Sequence, residues 1–241
     1  GARASHGYAK SGTYEITLTA TDSLGASAQT RREVTVESTR YAAQDDFDRV
    51  VSSGWGTAPT GGLWTTMLGS ANVASTNGTH GVLSLSPGST RQMALQSLSA
   101  KDTETALDYR VGYGPTTGSG YVGAMLRQNG GAGYSVSAWH RTNGTGWLVA
   151  QPGTTVIGTQ AVSGLSWTQG DEFSLKAEVT GSSPTTLRAK IWPRGGAEPQ
   201  SWQLSTTDAT AALQQAGNAS VRYNLAGSVT ADGPVSFDSG T

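Results

Sequence analysis

The chain has 241 residues, 14% of them charged, with a formal net charge of −1 and no cysteine. The near-neutral balance gives no electrostatic basis for binding nucleic acid. Zero cysteine removes disulfides, thiolate catalysis and cysteine zinc sites together, and no run of 18 apolar residues exists to span a bilayer.

In chain order, Tyr14, Ile16, Leu18 and Ala20 alternate with polar residues and predict a half-buried strand over 12–22. Ser23-Leu24-Gly25-Ala26 turns the chain, and Glu33-Val34-Thr35-Val36 begins a second strand. Two strands cannot bury a core, so this segment reads as part of something longer and modular. Residues 37–44 form a polar passage. The expected division is a fragment with linker over 1–40 and a second domain over 41–241, long enough for its own core.

Residues 51–80 are rich in Gly, Thr, Ser and Asn and predict short strands with long loops. Denser alternation follows in Leu107/Tyr109/Val111/Tyr113, Tyr134/Val136/Ala138, Phe173/Leu175/Ala177/Val179 and Leu187/Ala189/Ile191. Asn129-Gly130-Gly131, Asn143-Gly144, Gln169-Gly170-Asp171 and Gly195-Gly196 supply turn chemistry, and Gly118-Ser119-Gly120 reads as a hairpin turn. Residues 208–216 predict the one helix, capped by Asp208 and stopped by Gly217. One short helix among ten or more strands predicts an all-β sandwich.

Residues 6–36, from His6-Gly7-Tyr8-Ala9 to Thr21-Asp22-Ser23-Leu24-Gly25-Ala26, resemble the C-terminal half of a PKD domain, an immunoglobulin-like sandwich, without its N-terminal strands. The resemblance implies that Tyr8 and Tyr14 join a small core and that Asp22 organises the turn before Gly25. Residues 45–239 are similar to a concanavalin A-like, laminin G-like jelly roll of modular bacterial surface or phage structural proteins. The marks are Asp45-Asp46-Phe47-Asp48-Arg49, Gly54-Trp55-Gly56, Gly61-Gly62-Leu63-Trp64, Lys190-Ile191-Trp192, Glu198-Pro199 with Trp202, and Val235-Ser236-Phe237-Asp238. These likenesses imply an immunoglobulin-like fragment followed by an antiparallel β-sandwich. Neighbouring terminal strands would bring Phe47 and Phe237 into one core region. An extracellular, cell-surface or virion-surface setting among other domains of a longer chain is also implied.

Candidate chemistry starts with the acids. Asp45, Asp46 and Asp48 precede Arg49, and Asp238 lies in the opposite terminal segment, where jelly rolls of this kind often hold structural calcium. Asp46 and Asp238 are the expected oxygen ligands. The alternative has Asp46 capping a turn, Asp48 solvated and Asp238 paired with Arg49. No organic cofactor is expected, since phosphate loops and dinucleotide fingerprints are absent. Glycoside hydrolysis needs two carboxylates across a cleft, and no Glu-x-Asp-x-x-Glu strand motif is present. The three histidines form no metal motif, and no Gly-x-Ser-x-Gly elbow exists.

Aromatic residues point elsewhere. If Tyr134, Val136 and Ala138 face the core, Trp139 and Arg141 stand on the outer sheet, as Arg188, Lys190 and Trp192 do on their own strand. An exposed indole beside polar groups suits a sugar ring and its hydroxyls. Trp139, Arg141, Tyr121, Arg127 and Trp192 are therefore the candidate ligand residues, with Tyr113 and Gln128 bordering the surface. The alternative packs Trp192 against Trp202 across the Gly195-Gly196 hairpin. The expected function is a non-catalytic recognition or adhesion module for carbohydrate or a cell-surface polymer. A structural or phage-tail spacer and a polysaccharide hydrolase are the alternatives.

Overall fold

A computed structural model describes residues 12–36 and 41–238; His6, Tyr8 and residues 37–40 lie outside the described residues. The chain divides into two compact units, 1–41 and 42–241.

In the first unit, β1 (Gly12–Thr21) and β2 (Ser27–Val36) pair antiparallel, with Tyr14 opposite Val34 and Leu18 opposite Thr30. Asp22 organises the turn as the resemblance implies: its Oδ1 accepts the N–H groups of Leu24 and Ala26, both at 2.9 Å, around Gly25 at φ +87°. Ile16 and Leu18 remain 42% and 63% exposed, so the hairpin does not bury its own apolar stripe. The described residues here form a two-stranded hairpin, and no distinct PKD sub-fold is present among them.

The second unit contributes β3 (Val50–Val51), β4 (Thr57–Ala58), β5 (Gly62–Leu68), β6 (Ala74–Asn77), β7 (Gly81–Leu85), β8 (Thr90–Ala100), β9 (Thr103–Val111) and β10 (Gly120–Asn129). It continues through β11 (Ala132–His140), β12 (Thr145–Pro152), β13 (Gly158–Ser166), β14 (Glu172–Thr180), β15 (Thr185–Pro193), β16 (Leu204–Asp208), β17 (Gly217–Leu225) and β18 (Gly233–Asp238). They form two eight-stranded antiparallel sheets. The front sheet runs β13-β12-β11-β10-β17-β8-β5-β4 and the back sheet β16-β15-β14-β9-β18-β7-β6-β3. Together they make a jelly-roll sandwich.

The predicted alternations face inward. Val122, Ala124, Tyr134, Val136, Ala138, Tyr223 and Leu225 of the front sheet meet Tyr109, Val111, Phe173, Leu175, Leu187, Ala189, Ile191 and Phe237 of the back sheet in one core. Period-2 patterning thus selects which face of each strand is dry. Phe47 and Phe237 do share a core region: both set their rings edge-on to Trp55, at 5.3 and 5.5 Å between centroids. The Phe47 ring lies where a Cβ on Gly81 would stand, so only glycine lets the two approach.

Two local expectations are corrected. Residues 208–216 do not form an α-helix; Leu204–Asp208 is strand and only Ala211–Leu213 makes a 3₁₀ turn. The Asp208 carboxylate accepts bonds from Tyr134 Oη and Thr210 N, while Gln214 Oε1 accepts the Ser183 N–H and the Thr185 hydroxyl. Those tertiary bonds outweigh the weak helix preference of so short a segment. Gly118-Ser119-Gly120 is not a hairpin turn, because β9 and β10 belong to different sheets and the segment crosses between them.

Candidate groove on the front sheet

Strand pairing sets the residues on the outer face of the front sheet into rows across the strands. Thr90, Asn224, Tyr121, Trp139, Trp147 and Ala161 lie opposite one another in sequence across β8, β17, β10, β11, β12 and β13. The next row is Gln92, Arg222, Gly123, Ser137, Val149 and Thr159. The third runs from Ala94 through Ser220, Met125 and Ser135 to Gln151.

The first row is a wall. Tyr121 and Trp139 stack at 5.3 Å with ring planes 12° apart, and Trp139 meets Trp147 at 6.3 Å. The Arg141 guanidinium lies over both indoles, 4.7 Å from the Trp139 centroid and 5.0 Å from that of Trp147. Trp139 Nε1 donates to Ser119 Oγ at 2.8 Å, and that hydroxyl donates to the His140 carbonyl. Trp139 is therefore held on its ring and at its N–H, while Tyr121, Trp147 and Arg141 stay half-exposed beside it.

The middle and third rows are a floor. Small side chains lie below their neighbours: Ser135, Ser137 and Ser220 are buried, although they point away from the core. Gly123 is required there, since a Cβ would collide with the Val136 carbonyl and with Ser137. Gln92, Gln128 and Ser220 join through side-chain hydrogen bonds, including Gln92 Nε2 to Ser220 Oγ at 2.7 Å. Asn224 Nδ2 donates to Thr90 Oγ1 at 2.6 Å. The result is a groove across the strands with one aromatic side and a floor in which hydroxyls and amides lie beside Val149, Met125 and Ala94. At the β13 edge it adjoins a depression of about 420 Å³ lined by residues that include Arg141, Asn143, Trp147, Val162 and Leu165.

Charge is segregated between the sheets. No strand of the front sheet contains Asp or Glu, whereas Glu104, Asp108, Glu172, Glu178, Asp208 and Asp238 all lie on back-sheet strands. These front-sheet strands cannot supply the two carboxylates of glycoside hydrolysis. Burial raises the Tyr121 phenol pKa against a smaller opposing pull from Arg141, so it is protonated at neutral pH.

Among the expected ligand residues, the structure brings Tyr121, Trp139 and Arg141 together. Arg127 departs from them. A bulge shifts the register between Leu126 and Asn129, and Arg127 takes φ +50°. Its guanidinium turns inward to the Lys101 carbonyl, Gly181 O at 2.6 Å, Thr185 Oγ1 at 2.7 Å and Asp102 at 3.2 Å. The same bulge swings Gln128 to the outer face. Tyr113 belongs to the core, packed on Trp167 and Tyr223. Trp192 lies on the back sheet opposite Ser174, and the Lys190 ammonium lies over the Trp202 ring, 5.0 Å from its centroid.

Of the acids near the terminal strands, Asp48 is exposed as the alternative expected, whereas Asp238 pairs with Arg194 and not with Arg49. Asp45, not Asp46, is the buried member; it accepts bonds from Phe47 N, both terminal nitrogens of Arg49, and Trp64 Nε1. Burial alone would raise its pKa, but the donors from Arg49, Phe47 and Trp64 outweigh that and lower it. Asp46 is exposed. Asp238 pairs with Arg194 at 2.6 Å, and the same guanidinium also faces Asp108 and Glu172, each at 3.4 Å. Among the described residues, no group of three or more His, Asp or Glu is gathered to hold a metal ion.

Comparisons with known proteins bear on the fold. No family model matches the chain and no curated protein matches it by sequence. Solved structures do. An alginate lyase variant in complex with an alginate tetrasaccharide aligns with TM-score 0.57 at 11% identity, over 82% of this chain and 94% of that one. A Bacillus licheniformis β-glucanase gives 0.54 at 11% identity, over 83% and 97%. The CBM2 module of the evolved Dit of Lactobacillus casei BL23 phage J-1 gives 0.50 at 9% identity, over 81% and 93%. Identities this low establish the jelly-roll fold. They also overturn the expectation of a non-catalytic module, because enzymes named for acting on polysaccharides share the architecture with a binding module. Fold alone excludes neither role.

Proposed function

We propose that the second unit engages a polysaccharide, outside the cell, in the groove across its front sheet. The observation that carries this reading is the half-exposed Tyr121–Trp139–Arg141–Trp147 wall standing over a floor that includes hydroxyls and amides. Rigid aromatic surface packs the apolar face of a sugar ring, and short polar groups beside it bond the hydroxyls. The solved structures named for carbohydrate ligands or substrates support the reading by shared fold. Trp147→Ala should weaken polysaccharide binding by roughly tenfold or more, as expected for a central aromatic anchor. Affinity electrophoresis against a polysaccharide panel checks this. Wild-type protein that no polymer retards would reject the proposal.

A second reading, cleavage of the bound chain, is favoured by one observation. The protonated Tyr121 phenol and the Arg222 guanidinium occupy adjacent rows of one groove that lacks strand carboxylates. In elimination from a uronate chain the Arg222 cation would neutralise the carboxylate, the C5 proton would pass to water, and the Tyr121 phenol would protonate the glycosidic oxygen as its bond to C4 breaks, a route that needs no acid pair. Unsaturated sugar ends appearing during incubation, and lost in Tyr121→Phe, would establish it; intact polymer after prolonged incubation would remove it.

A further inference from the structure

Arg222 stands in the middle row between Gln92 and Gly123, half-buried above the floor. Its Nη1 lies 3.3 Å from Met125 Sδ, and it forms no ion pair with any carboxylate among the described residues. The other cations of this sheet have contacts of their own, although Arg91 Nε is buried without a partner. Arg127 is bound to carbonyls, Thr185 and Asp102, Arg141 lies over two indoles, and Arg91 donates to the Thr90 carbonyl. Desolvating a guanidinium without an opposing charge is unfavourable, and burial alone pulls its pKa down. A recessed cation on acid-free strands is matched by an anion that arrives from outside.

We infer that Arg222 receives the carboxylate of a uronic acid, making the ligand of the groove an anionic polysaccharide. This rests on the polysaccharide reading and narrows its ligand class. Residues two apart on one strand face are separated by about 7 Å. Arg222 therefore lies one such step from the row of Tyr121 and Asn224, opposite Gly123, which adds no side chain of its own. A ring against the aromatic wall can direct its exocyclic carboxylate to the guanidinium, whose planar fork suits a carboxylate. Gln92 and Ser137 flank that position.

The test compares polygalacturonate, polymannuronate and polyglucuronate, each beside the same polymer with its carboxyls reduced to alcohols. Wild-type protein should bind at least one polyuronate about tenfold or more tighter than its reduced form, the scale of a charge-assisted pair. Arg222→Met should erase that preference, and Trp147→Ala should weaken both forms. Arg222→Met should also melt no lower than wild type, because methionine packs on Met125 without a desolvated charge; Arg222→Gln serves if the first variant does not fold. Equal affinity for charged and reduced polymers, with Trp147 still required, would overturn the uronate assignment and leave the polysaccharide reading standing. A preference that survives both Arg222 substitutions would overturn the role of this residue. No binding of any of the six polymers would overturn the uronate assignment, and the polysaccharide reading falls only if the wider panel also fails.

Discussion

Asp45→Asn should lower the stability of the second unit by about 3 kcal/mol or more, the scale of a buried ion pair left with one charge. The carboxylate is only 4% exposed and holds both terminal nitrogens of Arg49, while Arg49 Nε donates to the Trp55 carbonyl at 2.6 Å. It also takes the Trp64 indole N–H, so the Asp45–Arg49 pair ties the segment before β3 to Trp64 and, through Arg49, to the Trp55 carbonyl. An amide at this position turns an NH₂ toward a guanidinium and leaves a cation without its counter-charge. For a unit of this size the loss corresponds to a melting temperature lower by roughly 6–12 °C. Removing both charges with Asp45→Asn and Arg49→Met should recover part of the loss, since the cost lies in the uncompensated partner. Urea denaturation of the wild type and these two variants measures it. A loss under about 1 kcal/mol for Asp45→Asn would reduce the clasp to an ordinary surface pair.

Mild acid should destabilise the second unit through His140. This residue is fully buried between Tyr109, Trp167 and Phe173, with Nε2 at 2.9 Å from Tyr109 Oη and no partner for Nδ1. Burial holds its pKa down at about 3, against about 6.5 in an unfolded chain. The unfolded state therefore takes up a proton that the folded state refuses. The stability this neutral imidazole contributes is complete above about pH 6.5 and declines as pH falls toward 3. The slope is about 1.4 kcal/mol per pH unit, so about 2 kcal/mol should be gone by roughly pH 5. Asp45, whose folded pKa is depressed, loses its contribution only when pH falls below about 4–5, so of these two groups His140 alone acts above that pH. His140→Gln should be less stable at neutral pH yet flatter between pH 7 and 5. Equal falls in the variant and the wild type would assign the acid sensitivity elsewhere.

The inward faces of the strands were legible because period-2 alternation reports burial directly. Tyr134/Val136/Ala138 and Phe173/Leu175/Ala177/Val179 all face the core. Parity also placed Trp139 on the outer face, where it stacks with Tyr121. Parity failed at Arg127, because a bulge inserts a residue and reverses the alternation, and no turn residue marks it in the sequence. It could not distinguish Trp139 from Trp192 either, since strand patterning does not say which sheet a strand joins. The Asp45-Asp46-Phe47-Asp48-Arg49 run was recognisable as important. Which aspartate turned inward depended on Phe47, held at φ +55°. Arg222 alternates with the buried Val221, Tyr223 and Leu225 but was not among the expected ligand residues. Its meaning emerged only when pairing gathered strands without acids into one sheet. Residues 208–216 read as a helix from local composition, whereas the bonds that fix them come from Tyr134, Ser183 and Thr185.

The central claim is that polysaccharide lies across the front sheet, and amide chemical-shift mapping during titration with a bound oligosaccharide tests it most directly. The expected perturbations centre on Tyr121, Gly123, Ser137, Trp147 and Arg222, while Asp108, Glu172 and Arg194 of the back-sheet side stay unmoved. Shifts centred on Arg194 and the back sheet, with the Gly123 row silent, would contradict it.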